Sequence, residues 1–168
     1  MRERARGKPG RMQLFTPFQL AGRRLRNRIV FPAVLSNYAR ENRVTRRLVD
    51  YYAERAAGGA AMLITEGLSI HESSVPQPNV ATVFDPANFD GFQRLAAAVE
   101  EKDCRLLGQL WHVGRQQLWS PVEAPIGVSA LPDAYSWSVP HVMTADEIGA
   151  IAGAFVDAAR TLQRAGFS

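Results

Sequence analysis

Apolar positions change their spacing several times along the chain, and these changes predict the order of its elements. Two short alternating runs flank Ala21 and Gly22, which predicts a hairpin around a tight turn. Residues 29–35 follow as a nearly continuous apolar run, typical of a strand buried on both faces. Pro32 lies inside this run and has no amide hydrogen, so we expect the regular pairing to end there.

A helical spacing replaces the strand pattern three times. Residues 45–57 carry apolar and aromatic side chains three and four apart, and two glycines then stop the predicted helix. Asp85 and Pro86 predict the start of a second helix, as its cap and its first-turn proline. A third helix is predicted to begin at a capping box, in which the side chains of Thr144 and Glu147 each accept from the other's backbone amide.

Two further apolar runs, residues 60–66 and 104–113, predict buried strands between these helices. The turns from a helix into a strand are short, whereas the segments that leave the second and third strands are about 18 and about 30 residues long. In parallel α/β folds such segments lie at the carboxyl edge of the sheet, where active sites form. We therefore expect the chemistry just past Val34, Thr65 and Gln109.

The number of strand–helix units limits the architecture. Three units are too few to close a barrel, which takes eight units and about 250 residues, and this chain has 168 residues. The pattern therefore predicts an α/β fold that is the front part of a larger protein. Residues 1–11 are predicted to form a basic, disordered tail.

Charge is unevenly distributed along the chain. Residues 1–47 hold 13 Lys and Arg against two acidic side chains, although the whole chain has a formal net charge of only +4. Such asymmetry can indicate an arm that binds nucleic acid. Beyond Arg11, however, the basic residues alternate with apolar ones, which favours a solvated hairpin edge. We therefore expect no nucleic-acid partner.

Several other classes of protein are also disfavoured. No apolar run approaches the roughly 20 residues that cross a bilayer, and the first residues lack the apolar core of a signal peptide, so we expect a cytoplasmic protein with no membrane partner. Cys104 is the single cysteine and cannot form an internal disulfide. His71 and His141 lie in predicted loops without companions at ligand spacing, so no metal site is predicted.

Three segments, taken in order, resemble one protein family. They are LFTPFQLAGRRLRNRIVFPA at residues 14–33, DYYAERAAGGAAMLITEG at residues 50–67 and GQLWHVGRQ at residues 108–116. All three are similar to motifs of the old yellow enzyme family, the NADH:flavin oxidoreductases, and the likeness extends over residues 12–168. The resemblance implies the N-terminal part of an FMN-binding (β/α)8 TIM barrel, truncated before its fourth strand, with NAD(P)H as reductant.

The resemblance also implies a cofactor site. Gln109 matches the glutamine that contacts the flavin in this family, and its amide can both donate to and accept from the pyrimidine edge of the ring. Gly67 matches a small residue that lets the ring approach the backbone. The positions that the family places against one face of the ring are Pro32, Ala33, Val34 and Leu35.

The chain departs from the family pattern at the end of its first strand. Many members place a Thr, Cys or His there, and this chain has Val34 or Leu35 instead. The nearest hydroxyl belongs to Ser36. Hydrogen bonding to the flavin from this stretch therefore stays open, and plain core packing is an equal alternative for Val34.

Several other residues keep two interpretations each. Gly67 suits an ordinary turn, and the Gln109 amide suits a bond to backbone. Glu66 either orients neighbouring groups or forms an ion pair with an arginine of the barrel. His112 and Arg115 either contact a ligand or serve the structure. No catalytic residue is assigned.

The predicted function is that of an FMN-dependent NAD(P)H oxidoreductase, either an ene-reductase or dienoyl-CoA-reductase-like. It would move hydride through flavin N5 to a small electron-poor alkene. The family's substrate-binding pair, His-x-x-His or His-x-x-Asn, and its tyrosine would follow Ser168, so the chain alone is expected to be inactive and to require the missing C-terminal part of the barrel. The alternative is a non-catalytic half-barrel that acts as a binding or assembly module, and a homo-oligomer stays open for either.

Overall fold

The central element is a parallel sheet with the strand order that the sequence predicts. The computed structural model describes residues 12–117, 124–134 and 137–168, and the predicted tail, residues 1–11, lies outside them. Strands β3 (Val30–Phe31), β4 (Met62–Ser69) and β5 (Arg105–Trp111) pair side by side in that order, and both pairings are parallel. Parallel strands that are neighbours in space and joined through helices are the repeating unit of a β/α barrel.

The predicted hairpin precedes this sheet. Strand β1 (Phe18–Leu20) pairs antiparallel with β2 (Arg23–Leu25) around Ala21 and Gly22, which both have positive φ. Such angles give the tight turn that matches the twist of the strands. The buried side chain of Leu25 packs against the start of β4 and against β5, so the hairpin covers the amino end of one face of the sheet.

Helices cover the other face of the sheet. They are α1 (Arg46–Ala57), α2 (Phe89–Glu100) and α3 (Ala145–Arg164). Thr45 caps α1 by accepting from the amide of Leu48, and both halves of the predicted capping box at the start of α3 are present. Asp85 caps a short 3-10 turn that leads into α2, so this α-helix begins three residues later than predicted.

The main core lies between the sheet and the helices. Leu63 of β4 and Leu106 of β5 are fully buried in it together with helix residues. Burial of one such side chain stabilises the fold by roughly 1.5–3 kcal/mol. A side chain at Gly108 would overlap Leu162 of α3, so Gly108 faces the helices. Because side chains alternate along a strand, Gln109 faces the opposite side.

Strand β3 is shorter and more exposed than predicted. Its ladder contains Val30 and Phe31 only, which confirms that pairing ends at Pro32. The expectation of a strand buried on both faces is wrong, because Val30 is 40% exposed. The physical reason is that β3 lies at the edge of the three-stranded sheet, with β4 on one side and no described strand on the other.

The remaining differences concern β4 and the long segment after β5. Strand β4 extends to Ser69, three residues beyond the predicted end, with an irregularity in pairing between Ile64 and Gly67. The segment after β5 was predicted as a loop, but it contains two short parallel strands, β6 (Ile126–Gly127) and β7 (His141–Val142). Strands of two residues are too short to leave an alternating pattern. Over the parts of the chain that the structure describes, no helix has the length and apolar character needed to cross a membrane.

Candidate functional site

The predicted site positions meet at the carboxyl edge of the sheet. Gly67 and Gln109 are direct partners in the register of β4 with β5. The segment that follows β3 is joined to the same place, because the backbone amide and the hydroxyl of Ser36 both donate to Glu66 Oε2, each at 2.6 Å. The three strand ends therefore lie together, as the parallel topology predicts.

Gln109 presents a free amide at this edge. Its side chain is exposed and has no hydrogen-bond partner among the described residues, while its backbone amide donates to Thr65 Oγ1 at 3.0 Å. The backbone-bonded amide that the sequence left as an alternative is therefore not what the structure shows. Both the donor and the acceptor of the side chain are available to a ligand.

The segment after β3 adds an apolar surface to the site. Its residues are Pro32, Ala33, Val34 and Leu35. Val34 is 47% exposed and Leu35 is 44% exposed, so neither is buried in the core of the described chain. Apolar side chains left in solvent beside a free amide suit the face of a flat, largely apolar ring.

Close packing at Gly67 comes from a side chain of the neighbouring strand, whereas the resemblance implied the approach of a flavin ring. Gly67 is buried, and a Cβ there would lie 2.6 Å from Cε3 of Trp111. The close approach that requires glycine in this structure is therefore made by the indole. Gln109 and Trp111 share one face of β5, since they are two residues apart. This spacing was the signal for Trp111, which the sequence analysis missed. Approach of a flavin to Gly67 stays a prediction.

Glu66 orients a neighbouring group. Its side chain is only 1% exposed, and within the described ranges it forms no ion pair with arginine or lysine. Its Oε2 accepts the two hydrogen bonds from Ser36, and its backbone amide donates to Tyr52 Oη at 2.6 Å. Glu66 therefore holds Ser36, in line with the first of its two interpretations, and among the described residues no ion pair with an arginine is seen.

Tyr52 belongs to the core, as predicted from its helix face. It is fully buried, and burial, the largest cause, raises the pKa of its hydroxyl far above the usual range, although the bond from the Glu66 amide opposes this. Tyr52 stays protonated in the core, and its bond with the Glu66 amide anchors the end of β4 to α1. It is not a proton donor for a ligand at the edge.

Two histidines from different loops are joined through a serine. Ser73 Oγ lies 2.8 Å from His71 Nδ1 and 3.1 Å from His112 Nε2, and the Gly114 amide donates to His112 Nδ1. The loop after β4 folds onto the end of β5 and brings the two rings together, although His71 was predicted only to lack companions at metal-ligand spacing. Burial first, and then His71, lowers the pKa of His112.

The directions of these bonds follow from their donors. Since Gly114 donates to Nδ1 of His112, the hydrogen of this ring lies on Nε2 and points to the hydroxyl of Ser73. The Ser73 amide also donates to His71 Nδ1, so the hydroxyl hydrogen points to that nitrogen too. This chain of bonds links the two loops that leave β4 and β5. Arg115, by contrast, is exposed.

Two residues of the first motif act at the opposite edge of the sheet. Arg26 donates to the backbone oxygens of Ala56 and Ala60 at 2.6 and 2.8 Å, and Asn27 donates to the oxygen of Gly59 at 2.8 Å. These bonds fix the turn between α1 and β4. This part of the motif therefore serves the scaffold.

The residues at the carboxyl edge fit the ring of a flavin by their chemistry. They offer a free amide on Gln109 and an apolar surface on Val34 and Leu35. Among the described residues no group of three or more His, Cys, Asp or Glu could hold a metal ion. An apolar surface with a few polar groups is the usual lining of a site for a small molecule.

Comparison with known proteins gives consistent relatives. The NADH oxidase of Thermoanaerobacter brockii is 35% identical over 153 residues, which cover 87% of this chain and 23% of that protein. A 12-oxophytodienoate reductase-like protein of Solanum lycopersicum is 32% identical over 161 residues, 92% of this chain and 45% of the relative. The chain thus spans less than half the length of these relatives.

Solved structures show the same partial coverage. The old yellow enzyme homologue from Zymomonas mobilis matches with a TM-score of 0.81 at 26% identity, and morphinone reductase matches with a TM-score of 0.82 at 26% identity. Each comparison covers 92% of this chain and 46% of the other. The fold of this chain is therefore that of part of a TIM barrel.

A family model decides the assignment. The model described as the NADH:flavin oxidoreductase / NADH oxidase family matches residues 13–168, which is nearly the whole chain. Homologues in this family use FMN with NAD(P)H as the reductant. This match and the fold shared with the solved structures agree, and the chain belongs to the NADH:flavin oxidoreductase / NADH oxidase family.

Proposed function

We propose that this chain supplies one side of the FMN site of an NAD(P)H-dependent oxidoreductase that reduces small electron-poor alkenes. The observation that carries the proposal is the meeting of three strand ends at one edge, through the pairing of Gly67 with Gln109 and the bonds from Ser36 to Glu66. Membership of the family supports the cofactor.

Each part of the edge has its own task in this proposal. Gln109 donates to and accepts from the pyrimidine edge of the flavin, because its amide is exposed and free. The apolar segment that contains Val34 and Leu35 lies against one face of the ring and keeps water from it. When bound, FMN supplies two-electron chemistry, since it can take hydride from a reduced nicotinamide and give it to an alkene carbon.

The proposed substrate class rests on the relatives. One is named a 12-oxophytodienoate reductase-like protein and another a morphinone reductase. These names support an ene-reductase that acts on an alkene made electron-poor by a neighbouring carbonyl. Since the chain covers less than half of either relative, we propose that the chain alone has no turnover and needs further strand–helix units for proton delivery.

The test is made on the full-length protein that contains this chain. We expect the purified protein to show the visible absorption of a flavin, to bleach anaerobically when NADH or NADPH is added, and to recover its colour when a cyclic enone follows. The chain of 168 residues, assayed in parallel, should show no enone reduction. A full-length protein that is colourless and gains no flavin absorption after incubation with FMN would contradict the proposal and favour a non-catalytic assembly module.

A further inference from the structure

We propose that Glu66 is a positioning residue, whose carboxylate sets the backbone of residues 33–36 for the cofactor before the cofactor binds. The inference rests on the proposed function, because it concerns the same edge of the sheet. It assigns a task to a buried carboxylate that lies next to Gly67 in the chain.

The carboxylate organises a whole turn through a single oxygen. Glu66 Oε2 accepts from the amide and from the hydroxyl of Ser36, each at 2.6 Å, and Ser36 Oγ in turn accepts from the amide of Tyr38 at 3.3 Å. Between them, Asn37 has a φ of 59°, a left-handed conformation that asparagine tolerates better than most residues. Residues 36–38 therefore form a defined turn that depends on Glu66.

Glu66 is itself fixed by the core. Its amide donates to Tyr52 Oη at 2.6 Å, and Tyr52 is fully buried on α1. Glu66 also lies within the irregularity of β4 between Ile64 and Gly67, which turns this part of the strand out of the regular ladder. The position of Ser36 is thus set from α1, through the backbone of Glu66 and its side chain.

Residues 32–35 need this attachment through Ser36 in order to keep one conformation. Residues 32–35 lie outside the ladder and outside the helices, and the pairing of β3 ends at Phe31. Without a bond at their far end, four residues with largely exposed side chains would sample many backbone conformations, and ordering them on binding would cost affinity. The two bonds to Glu66 order this segment before the cofactor binds, so binding does not carry this entropic cost.

Burial of a carboxyl group is unfavourable, so its presence at this position argues for a specific task. Glu66 is 1% exposed, and its Oε1 is buried without a hydrogen-bond partner in the described structure. Burying a polar oxygen without a partner is unfavourable. The two hydrogen bonds on Oε2 offset that cost and hold the turn.

The test compares variants of the full-length protein. Glu66→Ala removes the acceptor, whereas Glu66→Gln keeps an oxygen that can accept both bonds from Ser36. Ser36→Ala is a milder change that removes the hydroxyl and leaves the amide. Glu54→Ala is the matched control, because Glu54 is an exposed carboxylate on α1. FMN affinity and the shape of the flavin absorption bands are measured for each variant, together with thermal unfolding.

We expect Glu66→Ala to weaken FMN binding by roughly 10- to 100-fold and to change the flavin bands, since two hydrogen bonds to a buried acceptor are lost. Glu66→Gln should restore most of the affinity, Ser36→Ala should fall between them, and Glu54→Ala should match the wild type. Wild-type affinity and bands in Glu66→Ala would refute the positioning role. Equal losses in Glu66→Gln and Glu66→Ala would also refute it, because the charge and not the acceptor would then matter.

A second measurement needs no flavin. Amide hydrogen exchange at Ser36 and Tyr38 should be slow in the wild type and in Glu66→Gln, and fast in Glu66→Ala. If the wild-type protein binds no FMN, the proposed function fails, and exchange still decides whether Glu66 orders the turn. Unchanged exchange in Glu66→Ala would overturn the inference whatever the flavin does. If Glu66→Ala fails to fold, Ser36→Ala should show faster exchange at Tyr38 and weaker FMN binding, because its hydroxyl bonds are lost, and wild-type behaviour at both readouts would overturn the inference.

Discussion

At the scale of single residues, the site depends on which polar groups are already satisfied within the chain. Hydrogen bonds to other segments of the chain involve Glu66, Ser73 and Asn27, so these side chains stabilise the fold. The side chain of Gln109 makes no such bond among the described residues. A side chain without internal hydrogen bonds can bind a ligand, whereas side chains with such bonds position the segments around it.

Replacing Gln109 should therefore affect the cofactor more than the fold. We expect Gln109→Leu to weaken FMN binding to the full-length protein by about tenfold, because a bond to an amide is worth roughly 0.5–1.5 kcal/mol. Unfolding should change little, since the side chain is exposed. Gln19→Leu is the control, because Gln19 is exposed on the hairpin. Fluorescence titration with FMN measures the effect, and equal affinities for the two variants would exclude Gln109 from the site.

The histidine pair should give the fold a dependence on pH. The pKa of His112 is lowered by burial and by His71, so the folded chain resists its protonation, whereas the unfolded chain does not. The stability that neutral His112 contributes is fully present above its usual pKa of about 6.5 and is lost as the pH falls below that value. Protonation also removes the acceptor for Gly114.

Denaturant unfolding of the chain at several pH values measures this dependence. We expect the free energy of unfolding to decrease below a pH of about 6.5 in the wild type. His112→Asn should flatten this decrease, since the titrating ring is gone. His141→Gln, in which the exposed histidine beside Glu147 is replaced, is the control and should keep the slope that His112 causes. A slope that survives in His112→Asn would assign the effect to other groups.

At the scale of elements, the connections matter more than the strands and helices alone. Each helix packs on the strand before or after it, and the turn between α1 and β4 is only a few residues long. Arg26 from the hairpin region holds that turn by donating to Ala56 and Ala60. The hairpin thus fixes the place where a helix returns to the sheet.

We expect Arg26→Ala to destabilise the chain by about 1–3 kcal/mol, because two backbone oxygens lose their donor in a partly buried place. Arg24→Ala is the control, since Arg24 is an exposed residue of β2. Thermal unfolding of both variants measures the difference. If Arg26→Ala unfolds at the same temperature as Arg24→Ala, the turn is held by other contacts.

At the scale of the whole molecule, the three-stranded sheet has two open edges. Strand β3 borders only β4, and β5 borders only β4 among the described strands. Unpaired edges with apolar side chains are surfaces for pairing with another chain. In a barrel both edges are covered by further strands. Association of the isolated chain therefore tests whether its open edges drive pairing.

The chain of 168 residues should therefore associate as its concentration rises. Val30→Lys places a charge on the exposed edge of β3 and should reduce association. Val156→Lys is a matched control, because Val156 is 48% exposed on α3 and Val30 is 40% exposed. Light scattering after size-exclusion chromatography measures the mass. A wild-type chain that stays monomeric at high concentration would show that these edges do not drive association.

Much of the fold follows from local patterns in the sequence. The hairpin turn at Ala21 and Gly22, the capping box at Thr144 and the end of pairing at Pro32 each involve residues a few positions apart. Their physical causes are backbone angles, cap hydrogen bonds and a missing amide hydrogen. These act within one or two turns of chain, so a sequence alone can reveal them.

The site itself is only partly determined in this way. The parallel order of the strands predicts that Gln109 and Gly67 share an edge, because strands joined through helices have their carboxyl ends on one side. That the space beside Gly67 is filled by Trp111, more than 40 positions away, follows from how side chains pack across two strands. The spacing of Gln109 and Trp111 puts both side chains on one face of β5, but only packing shows that the indole reaches Gly67.

The sequence by itself determined the alternation of strands and helices, the edge at which chemistry is expected and the family that the motifs resemble. Tertiary structure alone decided that Glu66 holds Ser36, that Ser73 joins His71 to His112, and that the Gln109 amide is left free. The reason is physical. A hydrogen bond between segments 30 or 40 residues apart exists only once packing has brought them together, whereas periodicity and capping act along the chain.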